Sequence, residues 1–208
     1  SGYKTSELGF SLGTKFEQFQ NIFLSPEIDI LVEDLETSSK ASDTLKKQEG
    51  SYTDLYFNYT INQDLRDKRY RSESGYQTFF SQEVPLFSDN SEFSNAFEIT
   101  KYKKLSTKSD TIGKISFYAK TITGLSDDVR VSKRLNVPSY KLRGFEKGKV
   151  GPTENNDYIG GNHVTALNLS ATLPNIVEGL DNLDVGVFFD AANVWGVDYD
   201  NSLDDKST

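Results

Sequence analysis

The chain has 208 residues, 36% of them hydrophobic and 26% charged, with a formal net charge of −8 and a mean hydropathy of −0.55. No stretch approaches the ~18 consecutive apolar residues of a membrane-spanning helix, which excludes a helical membrane protein but not a β-barrel, whose strands alternate lipid-facing and lumen-facing residues. The acidic balance would repel a phosphate backbone, so nucleic acid is not an expected partner.

Ser1-Gly2-Tyr3 lacks the charged start of a signal peptide and the chain holds no methionine, so a mature, trimmed or fragmentary chain is expected. The first candidate strand covers residues 3–13, and a tight connection is expected at 14–18. In the second, residues 22–33, Ile22, Leu24, Ile28, Ile30 and Val32 oppose Ser25, Glu27, Asp29 and Glu33, and Pro26 predicts a bulge or an edge. A long polar connection at 36–50 leads to a strand over 52–65. There Leu55, Phe57, Tyr59 and Ile61 share one face, and Asp54, Tyr56, Asn58, Thr60 and Asn62 the other.

After a charged turn at 66–75 come strands at 76–87, 93–105 and 111–123, the first two separated by a short connection at 88–91. Strands at 163–173 and 183–195 close the series, giving about eight strands and no convincing helix. The connection at 125–161 is far longer than an ordinary loop, which points to a functional segment.

Alternation alone fits two architectures. A soluble β-sandwich buries its apolar face against a second sheet, whereas a membrane barrel shows that face to lipid. Runs of ten or more residues favour the barrel, since a tilted membrane strand needs ~9 to 11.

Within the long connection lie Leu142-Arg143-Gly144-Phe145, then Gly151-Pro152, then Gly160-Gly161-Asn162 at the mouth of a strand. The strand Val187-Phe188-Phe189-Asp190-Ala191-Ala192-Asn193-Val194-Trp195 follows. Upstream, Asp64-Leu65-Arg66-Asp67 precedes Ser74-Gly75. In this order the motifs resemble those of the BamA family of bacterial outer-membrane assembly factors, which carry an Arg-Gly-Phe core in a long extracellular loop. Two departures are present: Ala192 or a neighbour replaces a glycine of the strand motif, and the proline of the upstream turn is absent.

The resemblance covers the whole chain and implies an all-β fold, a transmembrane antiparallel meander that is an open part of a sixteen-stranded barrel. Residues 1–208 would form one partial barrel domain with residues 125–161 folded back into the lumen, Phe145 included. It implies an outer-membrane location, no enzymatic activity and no cofactor. The implied function is folding and insertion of other barrel proteins. Nascent barrel proteins, assembly lipoproteins, periplasmic chaperones, outer-membrane lipid and lipopolysaccharide are the implied partners. A translocation pore of the two-partner secretion or TamA type shares the loop motif and is the competing reading. A soluble β-sandwich binding protein is the alternative from another class.

Strand parity gives the loop motif a partner. Asp184, Gly186, Phe188 and Asp190 share a face opposite Val185, Val187 and Phe189, so Asp190 should point inward and meet Arg143 in a charge-assisted contact. The family's second acidic contact falls on Ser170, inward by parity with Asn168.

Other motifs carry less. Gly144, Gly148-Lys149 and Gly151 lack phosphate-loop spacing and the Ser or Thr after the lysine. His163 is the only histidine and the chain has no cysteine, so no zinc set is expected and His163 reads as a rim residue. Asp127-Asp128 and Asp204-Asp205 read as solvated loop acids, and the glycosylation patterns at Asn58 and Asn168 fall in strands. No nucleophile, base and orienting group can be assembled from local motifs.

Overall fold

The computed structural model describes residues 2–155, 157–174 and 183–206, the side chains of 204–206 excepted. The strands are β1 (Tyr3–Gly13), β2 (Phe16–Phe19), β3 (Ile22–Thr37), β4 (Gly50–Asp64), β5 (Ser74–Ser88), β6 (Glu92–Lys104), β7 (Ile112–Gly124), β8 (Thr153–Glu154), β9 (Asp157–Tyr158), β10 (His163–Pro174) and β11 (Asp184–Trp195). All but β8 and β9 form one antiparallel sheet in the order β1-β3-β4-β5-β6-β7-β10-β11, with β2 beside β3. Each long strand pairs with its neighbours along the chain, as an up-and-down meander requires, and the sheet is not closed on itself.

The eight expected strands are present, with two local differences. The tight turn falls at Gln20 and Asn21 rather than at 14–18. Asn21 adopts a left-handed φ of 61° and donates its N–H to Glu17 Oε1 at 2.7 Å, which stabilises a reversal that the polar run at 14–18 only mimicked. β1 and the start of β2 keep the same register against β3, which shifts by one residue after Glu17, and the two strands are separated only at Thr14 and Lys15, opposite Pro26, whose carbonyl accepts the Thr14 N–H. The proline therefore marks a ladder interruption. The second difference is a short helix, α1 (Asp43–Lys46), in the β3–β4 connection, capped by the Ser42 hydroxyl on the Leu45 N–H.

The positions of the apolar side chains decide between sandwich and barrel. On the face of Leu55 and Phe57 lie Leu8 (78% exposed), Phe10, Leu12, Ile30, Val32, Phe97, Ile115, Val187 and Phe189 (59%), with no second sheet packed on them among the described residues. A sandwich would bury this row; a barrel wall turns it to lipid. Three polar side chains on that face satisfy one another, as hydrocarbon favours: Tyr59 donates to Gln82, which donates to Asn95 Oδ1 at 2.5 Å.

The buried clusters lie where the connections at one end meet the sheet. Ile122, Val129, Leu135, Val137, Leu142, Val164 and Val194 form the largest, and Leu35, Ala41, Leu45 and Val131 a second. Hydrophobic burial thus holds the long connection down rather than a sheet-on-sheet core.

Candidate functional site

The polar face of the sheet is the wall on which residues 125–162 dock. Four basic side chains of that segment meet acidic ones on the strands or beyond them. Arg130 is the deepest. It is fully buried, and its guanidinium donates from Nε to Glu92 Oε1 (3.0 Å), from Nη1 to Glu33 Oε2 (3.3 Å) and from Nη2 to Asp54 Oδ2 (2.5 Å). The Tyr52 ring lies 4.4 Å from it, Tyr56 donates its hydroxyl to Glu92 Oε2 at 3.0 Å, and Ser88 donates to Asp54 Oδ1 at 2.6 Å. Burial opposes the Arg130 charge, but hydrogen bonds to Glu92 and Asp54 outweigh it and hold its pKa above the ordinary arginine value. Glu33 Oε1 is buried without a hydrogen-bond partner among the described residues.

Arg134 follows one turn later. It pairs with Asp198, donates to Asn162 Oδ1 at 3.0 Å and lies over the Tyr199 ring. Burial would raise the Asp198 pKa, yet the Val129 N–H, Asn162 and Arg134 together hold it below the usual carboxylate range. Lys141, also buried, pairs with Glu98 and sits over the Tyr118 and Tyr140 rings.

Arg143 makes the fourth contact. Its Nε and Nη2 donate to Asp190 Oδ2 and Oδ1 at 2.7 and 2.6 Å, a bidentate fork, and its backbone N–H adds a third bond to Oδ2 at 3.1 Å. The guanidinium carbon is 3.7 Å from the centre of the Phe188 ring. Asp190 is 3% exposed at its side chain, Arg143 40%, so one partner is shielded and the other wet. The second group on Asp190 is not Ser170, which pairs in register with Phe188, but Asn168, directly opposite Asp190. Asn168 Nδ2 donates to Asp190 Oδ1 at 2.8 Å and to the Lys141 carbonyl at 2.7 Å, joining β10, the loop and the Arg143–Asp190 pair through one amide.

The remaining motif residues divide by role. Leu142 is buried among Val137, Val164 and Val194, whereas Phe145 is 63% exposed. The hydrophobe of the motif that packs is therefore the leucine before the arginine; Phe145 points away because Gly144, at φ 86°, turns the chain after Arg143. A Cβ on Gly161 would lie 2.4 Å from the Trp195 carbonyl oxygen, and one on Gly151 2.7 Å from Val194 Cβ. These glycines let the loop backbone lie against the end of β11. Pro152 is buried and accepts the Ile159 N–H at 3.1 Å, Gly160 adopts φ 70°, and buried Asn162 donates its N–H to the Gly196 carbonyl at 2.7 Å. His163 opens β10 and stacks on Trp195 with ring centres 5.5 Å apart.

Sequence reasoning misses the Arg130 node, the Arg134–Asp198 pair and Lys141. A signal was present: Glu33 and Asp54 have inward parity and Glu92 opens a neighbouring strand at the same rim, so three carboxylates need a cation there. Asp64 to Asp67, singled out for its turn, holds a bidentate Arg66–Asp64 pair (2.7 and 2.6 Å) with Gly75 packed on the Leu65 carbonyl. The side chains of Asp204 and Asp205 lie outside the described residues.

An open antiparallel meander with an apolar outer face and a charged loop docked on its polar face defines the wall of an outer-membrane β-barrel. The model of the Omp85 superfamily domain matches residues 1–208, and the chain belongs to that superfamily. Among solved structures it is similar to BamA from Haemophilus ducreyi lacking POTRA domains 1-3, with a TM-score of 0.84 and 19% identity over 98% of this chain and 44% of that one. The likeness is one of fold, and the chain spans less than half the length of that structure. No curated protein sequence matches it.

Proposed function

We propose that this chain forms part of the barrel of an assembly factor that folds and inserts other barrel proteins into the outer membrane without consuming ATP. The observation that carries the reading is the occupied inner wall. Arg130, Arg134, Lys141 and Arg143 tie the long loop to carboxylates on β3, β4, β6 and β11 and to Asp198 just beyond β11. A loop anchored at several points of the inner wall obstructs a polypeptide passing along it, which favours work on client strands at the sheet edges and the membrane face. Main-chain pairing at a sheet edge is a general means of capturing an extended strand. The partners this reading brings are nascent barrel proteins, with periplasmic chaperones, assembly lipoproteins and lipopolysaccharide.

The test uses the full-length protein in phospholipid vesicles with an unfolded outer-membrane barrel protein added outside. Accelerated appearance of its folded form in the bilayer, independent of ATP, is the expected result. Delivery of the chain into the vesicle interior, protected from external protease, would instead identify a translocation pore.

A further inference from the structure

The lipid-facing side carries a depression whose shape follows from strand register. Lys103, Gly113, Ala171 and Val187 are mutually paired across β6, β7, β10 and β11, and Lys101, Ile115, Leu169 and Phe189 form the adjacent row. The first row has small residues at its centre, the second has large ones. Between them opens a groove of about 670 Å³, closed at its other margin by Leu105 against Gly113. Four strands spaced ~4.8 Å apart make such a trough about 14 Å long, enough for much of an acyl chain.

Several lysines on the inner side are ion-paired and Lys114 lies over the Tyr102 ring, whereas the two on the outer face at the β6 end differ. Lys104 pairs with Glu73 and Asp110, Lys120 with Glu83 and Lys141 with Glu98, whereas Lys101 and Lys103 are exposed and have no ion pair among the described residues. An unpaired ammonium on a lipid-facing strand is stabilised near the headgroups, where its stem lies along apolar surface and its charge meets phosphate. Here two of them stand beside one apolar trough, at the end of the sheet opposite the long loop.

We propose that this groove is a binding site for one anionic diacyl phospholipid of the membrane leaflet opposite the long loop. One acyl chain lies along the Gly113–Ala171 trough and the headgroup phosphate rests between Lys101 and Lys103. Both halves of the ligand are needed: the apolar trough gives affinity for a chain, and the paired ammonium groups select an anion.

Native mass spectrometry of the full-length protein released from nanodiscs of equal phosphatidylglycerol and phosphatidylcholine tests the site. Preferential retention of phosphatidylglycerol is expected. Lys101→Gln with Lys103→Gln should lower that preference roughly tenfold. Ala171→Phe, which fills the trough and keeps both lysines, should lower retention of the lipid in a protein whose folded, heat-modifiable form is unchanged. Equal retention of the two lipids by the unmodified protein, or a preference that survives the double lysine change, would overturn the proposal. Displacement of phosphatidylglycerol by lipid A at that groove would overturn the choice of phospholipid.

Discussion

Two arginines of the same loop, thirteen positions apart, hold it to the wall in opposite ways. Arg130 is dry: its side chain and those of Glu33, Asp54 and Glu92 are at most 1% exposed. Arg143 faces one carboxylate and keeps 40% of its side chain in solvent. A buried charge network is strongly coupled to its surroundings, because removing one member leaves the others uncompensated, whereas a half-exposed pair can exchange its partner for water. We propose that the first is a fixed pin at the rim and the second a latch that can open without unfolding the wall.

Changing Arg130 should break the comparison most severely. Arg130→Ala strands three carboxylates in a dry site and should destabilise the rim by about 3–5 kcal/mol. A loss of the folded, heat-modifiable band of the full-length protein on cold electrophoresis is the readout. Arg143→Ala should cost a smaller ~1–3 kcal/mol, since water still reaches Asp190. Its signature is faster labelling of a cysteine at Leu142, now released from its pocket, with the barrel still folded. Leu142 is the better reporter than Phe145, which is exposed in the docked loop.

Asn168→Ala sharpens the contrast at lower amplitude. It removes one bond to Asp190 and one to the Lys141 carbonyl and should weaken loop docking by about 1–2 kcal/mol, giving labelling between the unmodified protein and Arg143→Ala. Salt should discriminate the two arginines as well: raising ionic strength weakens the exposed latch and leaves the buried pin nearly unaffected.

The smallest effect is the pH response of the Arg134–Asp198 contact. The Asp198 pKa is held down in the folded protein, so its stabilisation is complete above the unfolded carboxylate value of about 3.9 and is lost as pH falls through the lower folded value. Amide exchange at Val129, whose N–H is bonded to Asp198 Oδ2 at 2.7 Å, should stay slow from neutral pH into mild acid, relative to its intrinsic rate. Asp198→Asn should remove the remaining acid dependence of that contact.

Much of the wall was legible because period-2 alternation is local: the facing of Leu55, Phe57, Asn58, Val187, Phe189 and Asp190 follows from parity alone. Parity also brought Arg143 to Asp190, once the loop motif was seen to resemble a family's. What escaped depends on contacts distant in the chain. Arg130 meets Glu33 and Asp54 across 97 and 76 positions, and no local pattern records that pairing. The choice of Asn168 over Ser170 likewise rests on register between β10 and β11, which alternation does not set. The first turn was misplaced because Thr14 and Lys15 look like a loop, whereas they are a strand interrupted opposite Pro26.

The latch is tested most directly by a double-mutant cycle on the full-length protein, with Arg143→Ala, Asp190→Ala and the pair compared for folding of a client barrel protein in vesicles. Residues joined by a bidentate contact should show strong coupling, so each single change should impair assembly and the double change should be little worse than either. Strictly additive losses would contradict the latch and reduce the Arg143–Asp190 contact to an incidental ion pair.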